Sequence, residues 1–145
     1  MLWIADITAE SRPFGVASFT VPGSERRFLL RGGRFGTHSS NENFTPIYYK
    51  RILFLAYFNA GVRAVDVRDP YHPREVAYYH PGDHREHRHA LRQGRRRRTA
   101  ARRPIQTNNV EVDDRGYVYA VDRANTGLHI LELTGDARRI ANLPR

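Results

Sequence analysis

A phrase repeated along the chain constrains its fold more than any other feature. Ala5, Asp6, Pro13, Val16 and Ala17 are matched 60 positions later by Val65, Asp66, Pro73, Val76 and Ala77. A third copy follows at an offset of 66, where residues 127–133 echo residues 61–67 through Gly127, Leu128, Leu131 and Leu133. Recurrence at such a period marks structural units that bury their apolar faces against one another.

Each unit reads as β-structure. Apolar and polar residues alternate, β-branched and aromatic residues are frequent, and no window of about 11 residues carries a helical period. In the last unit, strands are expected over 108–113, 117–122 and 128–133, with a shorter fourth over 139–143. Asp114-Arg115-Gly116 supplies the turn between the first two. In the middle unit they are expected over 52–57, 62–67 and 75–79, with an innermost strand within 38–44. Pro70 and Pro73 suit the bend between its last two strands, because each fixes φ and removes a ladder donor. The first unit has only a third and a fourth strand, over 3–7 and 15–21. Four antiparallel strands in a meander correspond to one propeller blade. The expectation is therefore an all-β chain, an incomplete β-propeller of four-stranded antiparallel blades. It comprises a half blade over 2–21, a blade over 38–79 and a blade over 107–143.

Gly61-Val62-Arg63-Ala64-Val65-Asp66-Val67-Arg68-Asp69-Pro70-Tyr71-His72-Pro73, following an apolar strand, resembles the LVIVD-repeat family of β-propeller proteins. The likeness is close over 52–79, fair over 107–143 and partial over 2–21. It implies a propeller fold, often an exported protein, and no defined reaction. A more distant similarity, to the selenium-binding family of propellers, implies metal bound inside the channel. The last unit departs from the pattern, with Glu132-Leu133-Thr134-Gly135-Asp136 in place of the Asp-Pro phrase. Two and a half blades fall short of the four to eight that close a ring. The expectation is a piece of a longer chain, completed by further blades or other subunits.

The 145 residues contain no cysteine, which leaves the compartment open. No apolar run of about 18 residues exists to span a bilayer. The first residues lack the basic start and apolar stretch of a signal peptide. The formal charge of +9 is concentrated: residues 83–103 hold nine arginines against Asp83 and Glu86.

The two longest connections, 22–37 and 80–106, belong on one face of a propeller, and both are basic. The second is expected to be a disordered insertion. The first carries Arg26, Arg27, Arg31 and Arg34. A binding or scaffold module taking an anionic ligand would use His38, Asn59, Asn108, Arg123 and Asn125 on that face. The same arginines serve equally as solvated loop residues. A metal-dependent enzyme is the alternative, with His38, Glu42 and Glu111 holding a divalent ion at the channel mouth. Polar residues filling a wet channel would read identically. A third reading puts nucleic acid on Arg95, Arg96, Arg97 and Arg98. The absence of aromatics between Asp83 and Pro104 argues against it, since bases would have nothing to stack on. No nucleophile elbow, phosphate loop or dinucleotide fingerprint is present.

Overall fold

The computed structural model describes residues 1–21, 28–82, 84–85 and 102–143. Strands make up 41 % of the chain and helix 7 %, so the molecule is all-β. Strands β1 (Leu2–Asp6) and β2 (Phe14–Phe19) form an antiparallel hairpin sheet. Strands β3 (Ser39–Ser40), β4 (Ile52–Ala56), β5 (Val62–Asp66) and β6 (Arg74–Tyr79) follow as a four-stranded antiparallel meander in chain order. A two-residue ladder joins β7 (His84–Arg85) to β8 (Arg102–Arg103). Strands β9 (Thr107–Val112), β10 (Tyr117–Asp122) and β11 (Gly127–Glu132) form a second meander of three. A six-residue helix, α1 (Gly135–Ile140), comes after it.

The repeat is visible in backbone detail. The β1–β2 ladder slips between Ile4 and Ala5, and the β5–β6 ladder slips at the equivalent Ala64 and Val65. Strand ends are closed by aspartates whose carboxylates accept the backbone N–H two residues on. Asp6 takes that of Thr8 at 2.8 Å, Asp66 that of Arg68 at 3.1 Å, and Asp113 that of Arg115 at 3.0 Å. A short acidic side chain can satisfy its own turn in this way. Gly61 opens β5 at φ +81°, where a Cβ would fall 2.2 Å from the Tyr79 carbonyl oxygen. The phrase therefore begins with glycine for two reasons, its dihedral and its space.

Packing runs sheet upon sheet. Ile52, Phe54, Ala56, Val62 and Ala64 on one face of the four-stranded sheet meet Val110, Val112, Val118, Ala120 and Leu133. Leu53, Leu55, Val65 and Val67 on its other face meet Leu2 and Phe19 of the β1–β2 hairpin. The middle sheet is covered on both sides, and every residue of β5 is buried. That burial explains why β4 reads as a continuous apolar run while β10 alternates buried and open positions.

Two strand expectations are corrected. The fourth strand over 139–143 is replaced by α1, which buries Ala137 and packs Ile140 against the core. Ala137 and Ile140 lie three apart, a helical spacing, and Asp136 and Arg138–Arg139 match the dipole at its two ends. The three-stranded sheet therefore ends at β11. The innermost strand over 38–44 shrinks to β3. The His38 N–H still bonds the Ala56 carbonyl at 2.8 Å and that of Asn41 the Phe54 carbonyl at 3.2 Å, but Glu42 and Asn43 turn to a different partner.

Candidate functional site

The ends of β9 and β10 meet the turn after β4 on one side of the stack. The Phe58 and Thr107 backbones exchange two hydrogen bonds of 3.1 and 3.0 Å, tying the middle sheet to the start of β9. Asp122 then organises the neighbouring turn. Its Oδ1 accepts the backbone N–H of Gln106 at 2.5 Å and of Ala124 at 3.2 Å. Its Oδ2 accepts the Thr126 N–H at 3.2 Å and hydroxyl at 2.5 Å. Desolvation pushes this carboxyl up, but the four donors outweigh it and leave its pKa below the ordinary value.

Gly32 and Gly33 bring a third wall to the same place. Both are left-handed, at φ +77° and +74°. A Cβ on Gly33 would lie 2.5 Å from Gln106 Nε2. The turn they make delivers Arg34, whose backbone N–H donates to Gln106 Oε1 at 2.9 Å while its carbonyl accepts from Asn59 at 3.1 Å. Arg34 and Arg123 thereby come to line one shallow cavity of about 370 Å³ with Gly33, Pro104, Gln106 and Ala124. The Arg34 guanidinium lies over the Phe58 ring at 5.8 Å, and Arg123 reaches Asn108 Oδ1 at 3.4 Å. Among the described residues neither has a carboxylate within ion-pair distance.

His38 stands beside this cavity. Its Nδ1 is 2.7 Å from the Asn108 carbonyl, to which it donates, leaving Nε2 of an exposed ring available. Its edge rests on Phe58 at 5.0 Å. Of the five expected ligand residues, His38, Asn108 and Arg123 lie close to one another. Asn125 is exposed in the adjoining turn at φ +71°. Asn59 is fully buried, and its amide donates to the Phe28 and Gly32 carbonyls at 2.9 Å each, so it holds the arginine loop instead of facing solvent.

Of the residues considered for metal, Glu42 and Glu111 meet, but through the Glu42 backbone N–H. Glu111 turns both carboxylate oxygens to backbone, accepting from Glu42 and Asn43 at 3.1 Å each and from Val112 at 2.9 Å. Among the described residues no three His, Asp or Glu side chains form a metal-binding group. Arg95, Arg96, Arg97 and Arg98, and most of the expected insertion over 80–106, lie outside the described residues. Of that segment, Ile105 is buried and Gln106 belongs to the cavity wall. No helix among the described residues is long and apolar enough to cross a membrane.

No model of a protein family matches the chain, and no curated protein matches it either. The resemblance to LVIVD repeats rests on the motifs themselves. Sequence reasoning put Arg34 and Arg123 on one basic face, but not in one cavity with Gln106 between them. The signal for Arg34 is the preceding Gly32-Gly33, a pair that reverses the chain and presents the next side chain.

Proposed function

We propose that the chain is a binding module built on a partial β-propeller, taking a small carboxylate or phosphate anion between Arg34 and Arg123. The propeller reading is supported by three sheets stacked in one sense, by the shared bulge of the first two, and by β3 lying against β9. The anion reading is carried by a single observation. Two guanidinium groups line a cavity of about 370 Å³, neither within ion-pair distance of a carboxylate among the described residues, and hydrogen bonds to backbone N–H groups hold the loops that bear them. Arginine suits the task because its planar donors grip carboxylate or phosphate oxygens in pairs. The His38 Nε2 and the Asn108 amide would add direction at the rim. No group in the site is arranged as a nucleophile or a paired acid and base, so the activity proposed is binding.

Calorimetric titration with inorganic phosphate, citrate and succinate tests this. At least one should bind, and Arg123→Gln and Arg34→Gln should each weaken it about tenfold or more, the loss of one charge-assisted pair. Binding unchanged in both variants, or no anion bound at about 10 mM, overturns the reading.

A further inference from the structure

We infer that the outer face of the β9–β11 sheet docks a second copy of this chain, through the outer face of that copy's β1–β2 hairpin. The inference rests on the stacked-repeat part of the proposed function and is independent of the anion.

The argument begins with equivalent positions. The middle sheet offers Ile52, Phe54, Ala56, Val62 and Ala64 to the sheet after it. Shifted by 65 residues on the second strand and 66 on the third, these become Tyr117, Tyr119, Val121, Leu128 and Ile130. The cross-strand partners are conserved in the shift: Phe54 opposes Ala64 as Tyr119 opposes Ile130, and Ala56 opposes Val62 as Val121 opposes Leu128. In the middle sheet all five are buried; in the last sheet Leu128 is 58 % exposed and Ile130 60 %. The last sheet thus presents, at Val121, Leu128 and Ile130, the face that its predecessor uses as an interface, while Arg115 lies over the Tyr117 ring and donates to the Tyr119 hydroxyl beside it.

The complementary face is also in the chain. The last sheet meets the middle one through Leu131 and Leu133, which correspond to Val65 and Val67. Val65 and Val67 in turn face the β1–β2 hairpin. Shifted back by 60 they become Ala5 and Ile7, next to Trp3. Those positions form the outside of the first hairpin, where Trp3 is 72 % and Ile7 68 % exposed. Trp3 and Ile7 on one outer face, and Val121, Leu128 and Ile130 on the other, are exposed apolar side chains, and apolar faces of this kind mark interaction surfaces.

A second copy is therefore the occupant that the residues specify. The two open faces differ, and each matches a surface already engaged inside the stack. The contact is head-to-tail, which builds a ring or an open chain and excludes a twofold pair of identical faces.

Trp3→Glu and Ile130→Glu each charge one face at an exposed position, so both variants should keep the far-ultraviolet spectrum of the parent. Sedimentation velocity of the full chain at up to about 100 µM should show concentration-dependent association. Each variant alone should be monomeric, and mixing the two should restore a 1:1 pair, because each retains the face the other has lost. A monomeric parent overturns the inference. So does a Trp3→Glu protein that still self-associates, which would mean like faces meeting, or a mixture that stays monomeric. Failure of phosphate or citrate binding would leave every one of these outcomes unchanged.

Discussion

Tyr48 shows how one side chain joins two sheets. It is buried, crosses the Phe54 ring edge-on at 4.9 Å, and donates from its hydroxyl to the Gly116 carbonyl at 2.5 Å. Burial is the main reason its pKa is pushed up to about 12, with Arg138 drawing it partly back. A raised folded-state pKa means that the neutral form is the one the fold holds. Its contribution is complete below about 10 and is lost as the pH climbs through about 12. Absorbance titration at alkaline pH should find one tyrosine ionising last or together with unfolding. Tyr48→Phe should abolish that late step while lowering stability by about 1–2 kcal/mol, the cost of an unsatisfied carbonyl. A late step that survives in the variant would assign it to another tyrosine. Asp113 behaves in the opposite sense. Partial desolvation pushes its carboxyl up, yet Arg115, Tyr119 and two backbone donors hold it near 2, so its contribution is present above about 4 and fades below.

At the scale of the element, the turn after β10 carries both structure and site. Four donors converge on Asp122: two from Thr126, and the backbone N–H groups of Gln106 and Ala124. Asp122→Ala strands them, and should cost about 2–3 kcal/mol in urea unfolding. The same variant should weaken anion binding without touching a guanidinium, because Gln106 and Arg123 lose their anchor; anion affinity equal to the parent's would show that the turn keeps its shape unaided. Most elements were legible in the sequence. Asp113, Gly116 and the alternation of 117–122 specify a hairpin locally, and the glycine, valines and aspartate of 61–67 specify a strand and its turn. Helix α1 was not legible because six residues are too few to establish a period. The innermost strand was overdrawn because Glu42 and Asn43 spend their N–H groups on the Glu111 carboxylate, about 70 residues away in sequence, and no local pattern encodes that choice. The cavity was half legible for a similar reason. Arg123 and His38 stood out by type, whereas the meeting of Arg34 with Gln106 depends on chain reversal at two glycines.

Across the whole molecule, burial is graded from the middle outwards. The four-stranded sheet is covered on both faces, whereas the first hairpin and the last sheet are each covered on one. Opening free energy follows the number of buried contacts an element must give up. Native-state hydrogen exchange should therefore find the slowest amides in β4 and β5, and faster ones in β1 and β2. Equal protection throughout would mean that the three sheets open as one unit. The large-to-small change Leu55→Ala, at a fully buried position between the hairpin and the middle sheet, should cost about 2–5 kcal/mol.

The polarity of the stack carries one more implication. Because the hairpin meets the back of the middle sheet, and the front of the middle sheet meets the back of the last, the stack has a direction along which further layers fit. A tandem duplication of the middle meander would insert a complete layer, and both faces at the new junction would be ones the parent already buries, each against a different neighbour. Such a molecule can grow by copying, without inventing a new surface.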